Sequence, residues 1–194
     1  MQQLAPRLRQ ILDAMEARYR VFGHRPTGSA SETAQAAHVA GGKLVKAVLL
    51  EDRQGPVLAV LASTQHIDLD LLNGRLGRTL DLVPEARIPS FFVDCAPGAL
   101  PPTGVAYGIP VVMDYSLDLL DEVFIEGGDH RHVVSLTGKD FRALMRAARR
   151  VNFAIAGPVH AGEPAAEPSH APADVPPAAP EAGPETSASE AQSA

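Results

Sequence analysis

The sequence lacks several features that would point to familiar kinds of chemistry. Cys95 is the only cysteine, which excludes an internal disulfide and any metal site built from cysteines. The zinc-binding pattern His-Glu-x-x-His and the nucleophile pattern Gly-x-Ser-x-Gly are both absent. We therefore expect no metal, no other cofactor and no serine triad.

Long hydrophobic runs are also missing. No stretch approaches the roughly 18 consecutive apolar residues of a membrane-spanning helix, and the N-terminus lacks the pattern of a signal peptide. We expect a cytoplasmic protein with no membrane partner.

Positive charge is absent from the C-terminal part of the chain. No Lys or Arg follows residue 156, whereas six of the 23 acidic residues do, so 17 acidic and 17 basic residues remain in the range 1–156. A neutral body does not favour broad binding to nucleic acid, so we expect no DNA partner and only local contact with RNA. The range 157–194 holds eight Pro and no aromatic residue, which predicts a disordered tail.

Hydrophobic periodicity and capping residues predict an α+β fold with a mixed, largely antiparallel sheet and peripheral helices. We assign the range 1–18 to an amphipathic N-terminal helix and the range 19–156 to a single domain. Helices are predicted to begin at the capping residues Ser29, Asp68 and Thr137, the last running to Asn152. A further short helix is predicted for Pro84–Phe92. The predicted strands are Tyr19–Phe22, Leu44–Leu50, Val57–Ala62, Val105–Met113, Val123–Ile125 and Val133–Leu136.

Two features stand out as candidate site elements. Lys46 lies within the apolar strand 44–50, so its ammonium must be paired, reach water, or face a cavity where it could meet a phosphate or polarise a carbonyl. The segment from Cys95 to Gly104 holds three Pro and two Gly and predicts a stiff, irregular loop. Such a loop is either a tight connection or a source of spare backbone groups for a ligand.

Other candidate site residues are weaker, because each also has a simple structural explanation. His130, in the Gly-Gly-Asp-His turn, is either simply exposed or part of a pocket wall, and His24 is a fainter case of the same kind. Four arginines share one face of the predicted C-terminal helix, which is either a solvated face or a stripe that follows tRNA phosphates. They are Arg142, Arg146, Arg149 and Arg150.

Taken together, several motifs resemble one family. These are Lys46 in Leu-Val-Lys-Ala-Val-Leu-Leu, the segment Gly98-Ala-Leu-Pro-Pro102 followed by Gly104, the strand Ile109–Asp114 and the turn ending at His130. In this order they resemble the YbaK / prolyl-tRNA-synthetase-associated editing domains, which are aminoacyl-tRNA deacylases. The resemblance covers about Tyr19 to Arg146.

The resemblance implies a trans-editing enzyme that hydrolyses the ester of a tRNA mischarged with a small amino acid, of the Ala, Ser or Cys type. By resemblance Lys46 is the anchor, the Gly98–Pro102 loop positions the water, and a tRNA ribose hydroxyl assists. The partners would be the acceptor 3′ end of aminoacyl-tRNA and an aminoacyl-tRNA synthetase. Residues expected to contact substrate are Ala99, Leu100, Pro101, Pro102, Gly104, His130 and His24.

Two other functions remain open. The chain could be a non-catalytic module of the same fold that binds tRNA 3′ ends, nucleotides or a protein partner, because fold alone does not fix activity. It could instead be a hydrolase that uses Cys95 as nucleophile.

Ala47 departs from the family pattern. In members that edit alanine or cysteine, Asn or Thr more often follows the lysine. The identity of the amino acid that is removed from tRNA therefore stays open.

Overall fold

The structure is a computed structural model that describes residues 4–157. The predicted disordered tail, apart from Gly157, lies outside the described residues. Within residues 4–157 no helix is long and apolar enough to cross a membrane.

The four α-helices in the described part of the chain begin largely where the capping residues predict. Ser29 accepts a hydrogen bond from the N–H of Glu32, and Asp68 accepts one from the N–H of Leu71. Thr137 caps the last helix in the same way. Each cap satisfies a donor that the first helical turn would otherwise leave unpaired. The helices are α1 (Pro6–Ala14), α2 (Ala30–Ala36), α3 (Leu69–Leu76) and α4 (Gly138–Leu144).

Residues 4–157 also form ten strands and three 3₁₀ helices. The 3₁₀ helices are Glu85–Ser90, Gly104–Tyr107 and Tyr115–Leu119. The strands are β1 (Tyr19–Gly23), β2 (Leu44–Asp52), β3 (Gly55–Ala62), β4 (Gln65–Ile67), β5 (Asp81–Leu82), β6 (Val111–Asp114), β7 (Glu122–Glu126), β8 (His132–Thr137), β9 (Arg149–Val151) and β10 (Ala154–Ala156).

Eight strands form one mixed sheet. The strand order is β1-β8-β7-β2-β3-β6-β9, and β5 also pairs with β2. The strands β4 and β10 pair with each other in a second, two-stranded sheet. The pairs β1/β8, β7/β8, β2/β3 and β2/β5 are antiparallel, and β2/β7, β3/β6 and β6/β9 are parallel. The predicted α+β fold with a largely antiparallel mixed sheet is confirmed.

Both faces of the sheet are covered. On one face α1 and α4 bury Leu8, Leu12 and Phe141 against the strands, and on the other α3 buries Leu72 beside Phe153. This two-sided burial explains why β2 is apolar almost throughout, since successive residues of a strand point to opposite faces.

The neighbours of β2 leave a gap along one of its edges. β7 pairs with β2 only at Leu44 and Val45, and β5 pairs only at Leu50 and Glu51. Between these two short ladders, β2 has a strand neighbour on the β3 side alone. The gap opens at Lys46 and is where the candidate site lies.

Three predicted elements are wrong in extent. The N-terminal helix, predicted for the range 1–18, spans Pro6–Ala14, and the chain leaves the helical conformation at Glu16, whose φ is +51°. The C-terminal helix ends at Leu144 rather than Asn152, because Arg149–Val151 pairs as β9 with β6. The strand predicted from Val105 begins only at Val111, since Gly104–Tyr107 forms a 3₁₀ helix that ends at Gly108 in the left-handed conformation.

Candidate active site

The gap beside β2 contains a small cavity of about 190 Å³. Lys46 and Ala47 of β2 line one side, and the start of α2 contributes residues 28–30 and Thr33. The loop after the first 3₁₀ helix and the β7–β8 turn supply the remaining walls, through Gly98, Leu100, Glu126 and His130. Residues far apart in sequence, among them the lysine and the loop glycine, therefore meet in one cavity.

Lys46 is held with its ammonium partly withdrawn from water. Its Nζ donates a hydrogen bond to the backbone carbonyl of Ser63 at 3.1 Å. Burial lowers the pKa of Lys46 below the ordinary value for a lysine, because a low-polarity setting disfavours the charged form. No carboxylate of the described residues lies within salt-bridge distance of this ammonium, so its charge remains available to a ligand.

Gly98 and His130 lie next to each other in the cavity wall. Gly98 adopts a φ of +85°, a conformation that side chains with a Cβ rarely adopt. A Cβ at this position would lie 3.5 Å from Cε1 of the His130 ring. His130 Nε2 lies 2.7 Å from the carbonyl oxygen of Pro97, to which the protonated nitrogen donates a hydrogen bond. The histidine thus holds the loop in place as well as forming part of the wall.

The loop leaves two backbone donors free at the cavity. The N–H of Ala99 bonds to Ala96 and that of Thr103 bonds to Pro101. By contrast, the N–H groups of Gly98 and Leu100 have no acceptor among the described residues, and both residues line the cavity. Fixed, unpaired N–H groups of this kind can hold a water or stabilise a developing negative charge on an ester oxygen.

Ala47 is the third residue with free backbone groups beside the cavity. The carbonyl of Lys43 accepts from Phe124 on the β7 side, and the carbonyl of Leu49 accepts from Val83 on the β5 side. Strand alternation directs the backbone groups of Ala47 toward the same edge, where neither β7 nor β5 pairs with it. The gap therefore exposes one strand residue to a ligand.

Glu126 is an ionisable cavity residue that the sequence did not single out. It ends β7, and its Oε1 accepts a hydrogen bond from the N–H of His130 at 3.1 Å. Burial raises the pKa of Glu126 above its ordinary value, although His130, the N–H groups of His130 and Gly128, and His24 act in the opposite direction. Its place at a strand end, directly before Gly127-Gly128, was the sequence signal that could have identified it.

The other loop residues predicted to contact substrate do not line this cavity. Ala99, Pro101, Pro102 and Gly104 are all buried. Gly104 has a packing role, since a Cβ there would lie only 2.2 Å from the carbonyl oxygen of Ile109. We infer that these residues support the loop, and their contact with substrate stays a prediction.

His24 lies near the site without lining it. Its Nδ1 is 2.7 Å from the carbonyl oxygen of Arg25, whereas its buried Nε2 has no partner among the described residues. Its backbone N–H donates to the carbonyl of Arg131 at 2.8 Å, which places His24 beside the β7–β8 turn.

The four arginines do not form a helical stripe, so that prediction is wrong. Arg142 lies on α4, whereas Arg149 and Arg150 lie on β9. Arg150 donates to the carbonyls of Met145 and Ala148 and pairs with Asp118, which ties its guanidinium to the fold. Arg142 and Arg149 donate to backbone carbonyls as well, and Arg146 is exposed. Contact of these arginines with tRNA stays a prediction.

Cys95 has the surroundings of a structural thiol. Its Sγ lies 3.2 Å from the hydroxyl of Tyr107, and its other hydrogen-bond partner is Asp94. Burial raises the pKa of Cys95 to about 11, so the thiolate that a nucleophile requires is scarce at neutral pH. This geometry disfavours the cysteine-dependent hydrolase.

A wider and more open groove of about 1040 Å³ runs beside α1. Asp94, Ala96 and Asp129 are among its lining residues, but none of the residues predicted to act on substrate is. Across residues 4–157, no three His, Cys, Asp or Glu side chains are grouped so that they could hold a metal ion.

Comparison with known proteins decides the family. Residues 24–154 match the model of the aminoacyl-tRNA editing domain. The chain belongs to the aminoacyl-tRNA editing domain family. The matched range contains every cavity residue described above. No curated protein matches the sequence.

Solved structures agree with this membership. A candidate trans-editing enzyme for prolyl tRNA synthetase is 26% identical, with a TM-score of 0.63, and the match covers 78% of this chain and 98% of that one. A candidate signal transduction protein from Marinobacter aquaeolei VT8 is 27% identical with a TM-score of 0.63. That match covers 79% of this editing-domain chain but only 31% of the longer protein. A hypothetical protein of 17% identity and TM-score 0.67, matched over 77% of this chain and 99% of its own, shares the fold.

Proposed function

We propose that this chain is a trans-editing aminoacyl-tRNA deacylase that removes a small, wrongly attached amino acid from tRNA. One observation carries the proposal: Lys46, Gly98 and Leu100 line the same small cavity, and the N–H groups of Gly98 and Leu100 have no acceptor among the described residues. Family membership supports the reaction class, and a structure described as a candidate trans-editing enzyme supports action on tRNA in trans.

Ester hydrolysis at this site needs only orientation and charge stabilisation. A water attacks the carbonyl carbon, and negative charge develops on the carbonyl oxygen. In this proposal the N–H groups of Gly98 and Leu100 bind that oxygen or hold the water, since neither has an acceptor among the described residues. The bond to the ribose oxygen then breaks, and the proton of the attacking water passes through the neighbouring ribose hydroxyl to that leaving oxygen. The products are a free amino acid and uncharged tRNA.

Lys46 serves as the anchor for the nucleic acid. A partly desolvated ammonium attracts a phosphate or sugar oxygen more strongly than an exposed one, because less water competes for the charge. It would fix the terminal nucleotide so that the ester reaches the loop. The small volume of the cavity favours alanine, serine or cysteine over bulkier residues.

Deacylation assays with mischarged tRNAs test the proposal. The wild-type protein should release alanine, serine or cysteine from at least one of these tRNAs. Lys46→Ala should abolish release of the amino acid without lowering the melting temperature. Lys43→Ala should leave the release rate unchanged, because Lys43 lies outside the cavity and pairs with Glu122 on the surface. Full activity of Lys46→Ala with a normal melt would remove the lysine from the mechanism.

A binding-only module is the second candidate. The similarity to part of a longer, candidate signal transduction protein favours it, because there the fold occurs within a larger chain. Such a module would bind tRNA 3′ ends, nucleotides or a protein partner through the same cavity. Binding of tRNA by the wild-type protein with no release of any amino acid would support this alternative.

A further inference from the structure

Glu126 brings a negative charge into a cavity whose walls are otherwise neutral or basic. It shares the lining with Lys46 and His130, yet no Lys, Arg or His of the described residues forms a salt bridge with it. Its hydrogen bonds in the protein come from the backbone N–H groups of Gly128 and His130. The carboxylate is thus partly buried without a direct counter-cation.

The turn alone does not require a charged residue at this position. A neutral glutamine side chain would keep an oxygen to accept the His130 N–H, and it would avoid the desolvation cost of a carboxylate. That cost is visible in the raised pKa of Glu126, which burial causes in spite of the nearby histidines. A costly charge that faces a cavity indicates a ligand of opposite charge.

The proposed substrate carries such a group. In an aminoacyl ester the α-ammonium is attached to the carbon next to the scissile carbonyl. If the carbonyl oxygen lies at Gly98, the small size of the cavity brings the ammonium toward the wall that Glu126 forms.

We propose that Glu126 binds the α-ammonium of the aminoacyl group and thereby selects esters with a free amino group. This inference rests on the proposed deacylase function. An N-acylated ester, as in peptidyl-tRNA, has no cation at this position, and its neutral amide would leave the charge of the partly buried carboxylate without a counter-charge. The site would therefore spare peptidyl-tRNA while it hydrolyses free aminoacyl-tRNA.

Comparison of alanyl-tRNA with N-acetyl-alanyl-tRNA tests this selection. The wild-type protein should hydrolyse alanyl-tRNA about tenfold to a hundredfold faster, which is the size expected for a hydrogen bond to a charged group. Glu126→Gln keeps an acceptor for the turn but removes the charge, so the ratio of the two rates should fall toward one. Glu122→Gln, a matched change on the same strand outside the cavity, should preserve the ratio.

The outcomes separate the two proposals. If Glu126→Gln slows both substrates by the same factor, or leaves the ratio unchanged, selection by Glu126 is overturned and deacylation stands. If the wild-type protein hydrolyses neither ester, deacylation fails, and titration calorimetry with 3′-alanylamido-adenosine and its N-acetyl derivative decides the selection. Preference for the free amine that disappears in Glu126→Gln supports the ammonium site, and equal or undetectable binding of both overturns it.

Discussion

Replacement of Gly98 by alanine tests the loop most specifically. Gly98 has a φ of +85°, and an L-residue pays about 1–2 kcal/mol in the left-handed region. The added Cβ would be 3.5 Å from the His130 ring, which is ordinary contact, so strain rather than collision decides the outcome. For a domain of this size, such a loss lowers the melting temperature by about 2–8 °C.

The activity should fall by more than this stability loss explains. Relief of the strain would rotate the Gly98 N–H away from the cavity, and a misplacement of about 1 Å can cost about a hundredfold in rate. We therefore expect single-turnover deacylation to slow by about tenfold to a hundredfold at a temperature where the variant is fully folded.

Gly77→Ala is the matched control. Gly77 has a φ of +67° after α3, and a Cβ added there would have no atom within 4 Å, so the same backbone strain arises far from the cavity. Both variants should lose similar stability in a thermal melt, and only Gly98→Ala should lose activity. Equal deacylation rates in the two variants would refute a role for the Gly98 backbone.

Three further predictions concern buried polar groups. Cys95→Ser should deacylate tRNA at close to the wild-type rate, because the thiol is a hydrogen-bond partner and not a nucleophile; a silent variant that still melts normally would contradict this. Thr103→Val should raise the unfolding free energy by about 1 kcal/mol in a urea titration, because the buried Thr103 hydroxyl lacks a hydrogen-bond partner among the described residues. Thr33→Val should instead lower the unfolding free energy, because the Thr33 hydroxyl is hydrogen-bonded to Thr27. A loss of stability in Thr103→Val would show that its hydroxyl is satisfied after all. Because the pKa of Glu126 is raised on folding, ionisation of its carboxyl group opposes folding. Relative to Glu126→Gln, the wild-type protein should therefore lose stability as the pH rises from the ordinary carboxyl range through the raised pKa. A difference in unfolding free energy that stays constant in urea titrations from about pH 4 to about pH 8 would refute the shift.

Local signals predicted most of the elements and several residues that line the candidate site. The capping residues Ser29, Asp68 and Thr137 each mark a helix start, because their side chains accept a hydrogen bond from a backbone N–H of the first helical turn. A charge within an apolar strand identified Lys46, and the concentration of Pro and Gly identified the loop that contains Gly98. Each of these signals is short-range and therefore visible in the sequence.

The wrong predictions depend on contacts between distant residues. Helical periodicity continues past Leu144 as far as Ala148, but pairing with β6 converts Arg149–Val151 into a strand. Arg150 bonds to the carbonyls of Met145 and Ala148 just beyond the helix end. Tertiary pairing of this kind overrides local propensity, and a single sequence does not reveal it.

The missed residue illustrates the same limit. Glu126 ends a strand whose alternate residues Val123 and Ile125 are buried, so the pattern assigns the glutamate to the other, more polar face. Only the approach of β2, α2 and the Gly98 loop turns that face into a cavity wall. The cavity is a product of the sheet order, in which β7 pairs with only two residues of β2.

Binding of a stable substrate analogue tests the central claim most directly. Adenosine that carries alanine through an amide at the 3′ position cannot be hydrolysed as an ester. In a titration followed by NMR, we expect the largest shifts at the amides of Ala47, Gly98 and Leu100, the three residues with free backbone groups at the cavity. Saturable binding with the largest shifts elsewhere, such as along α1 or β9, would contradict the account.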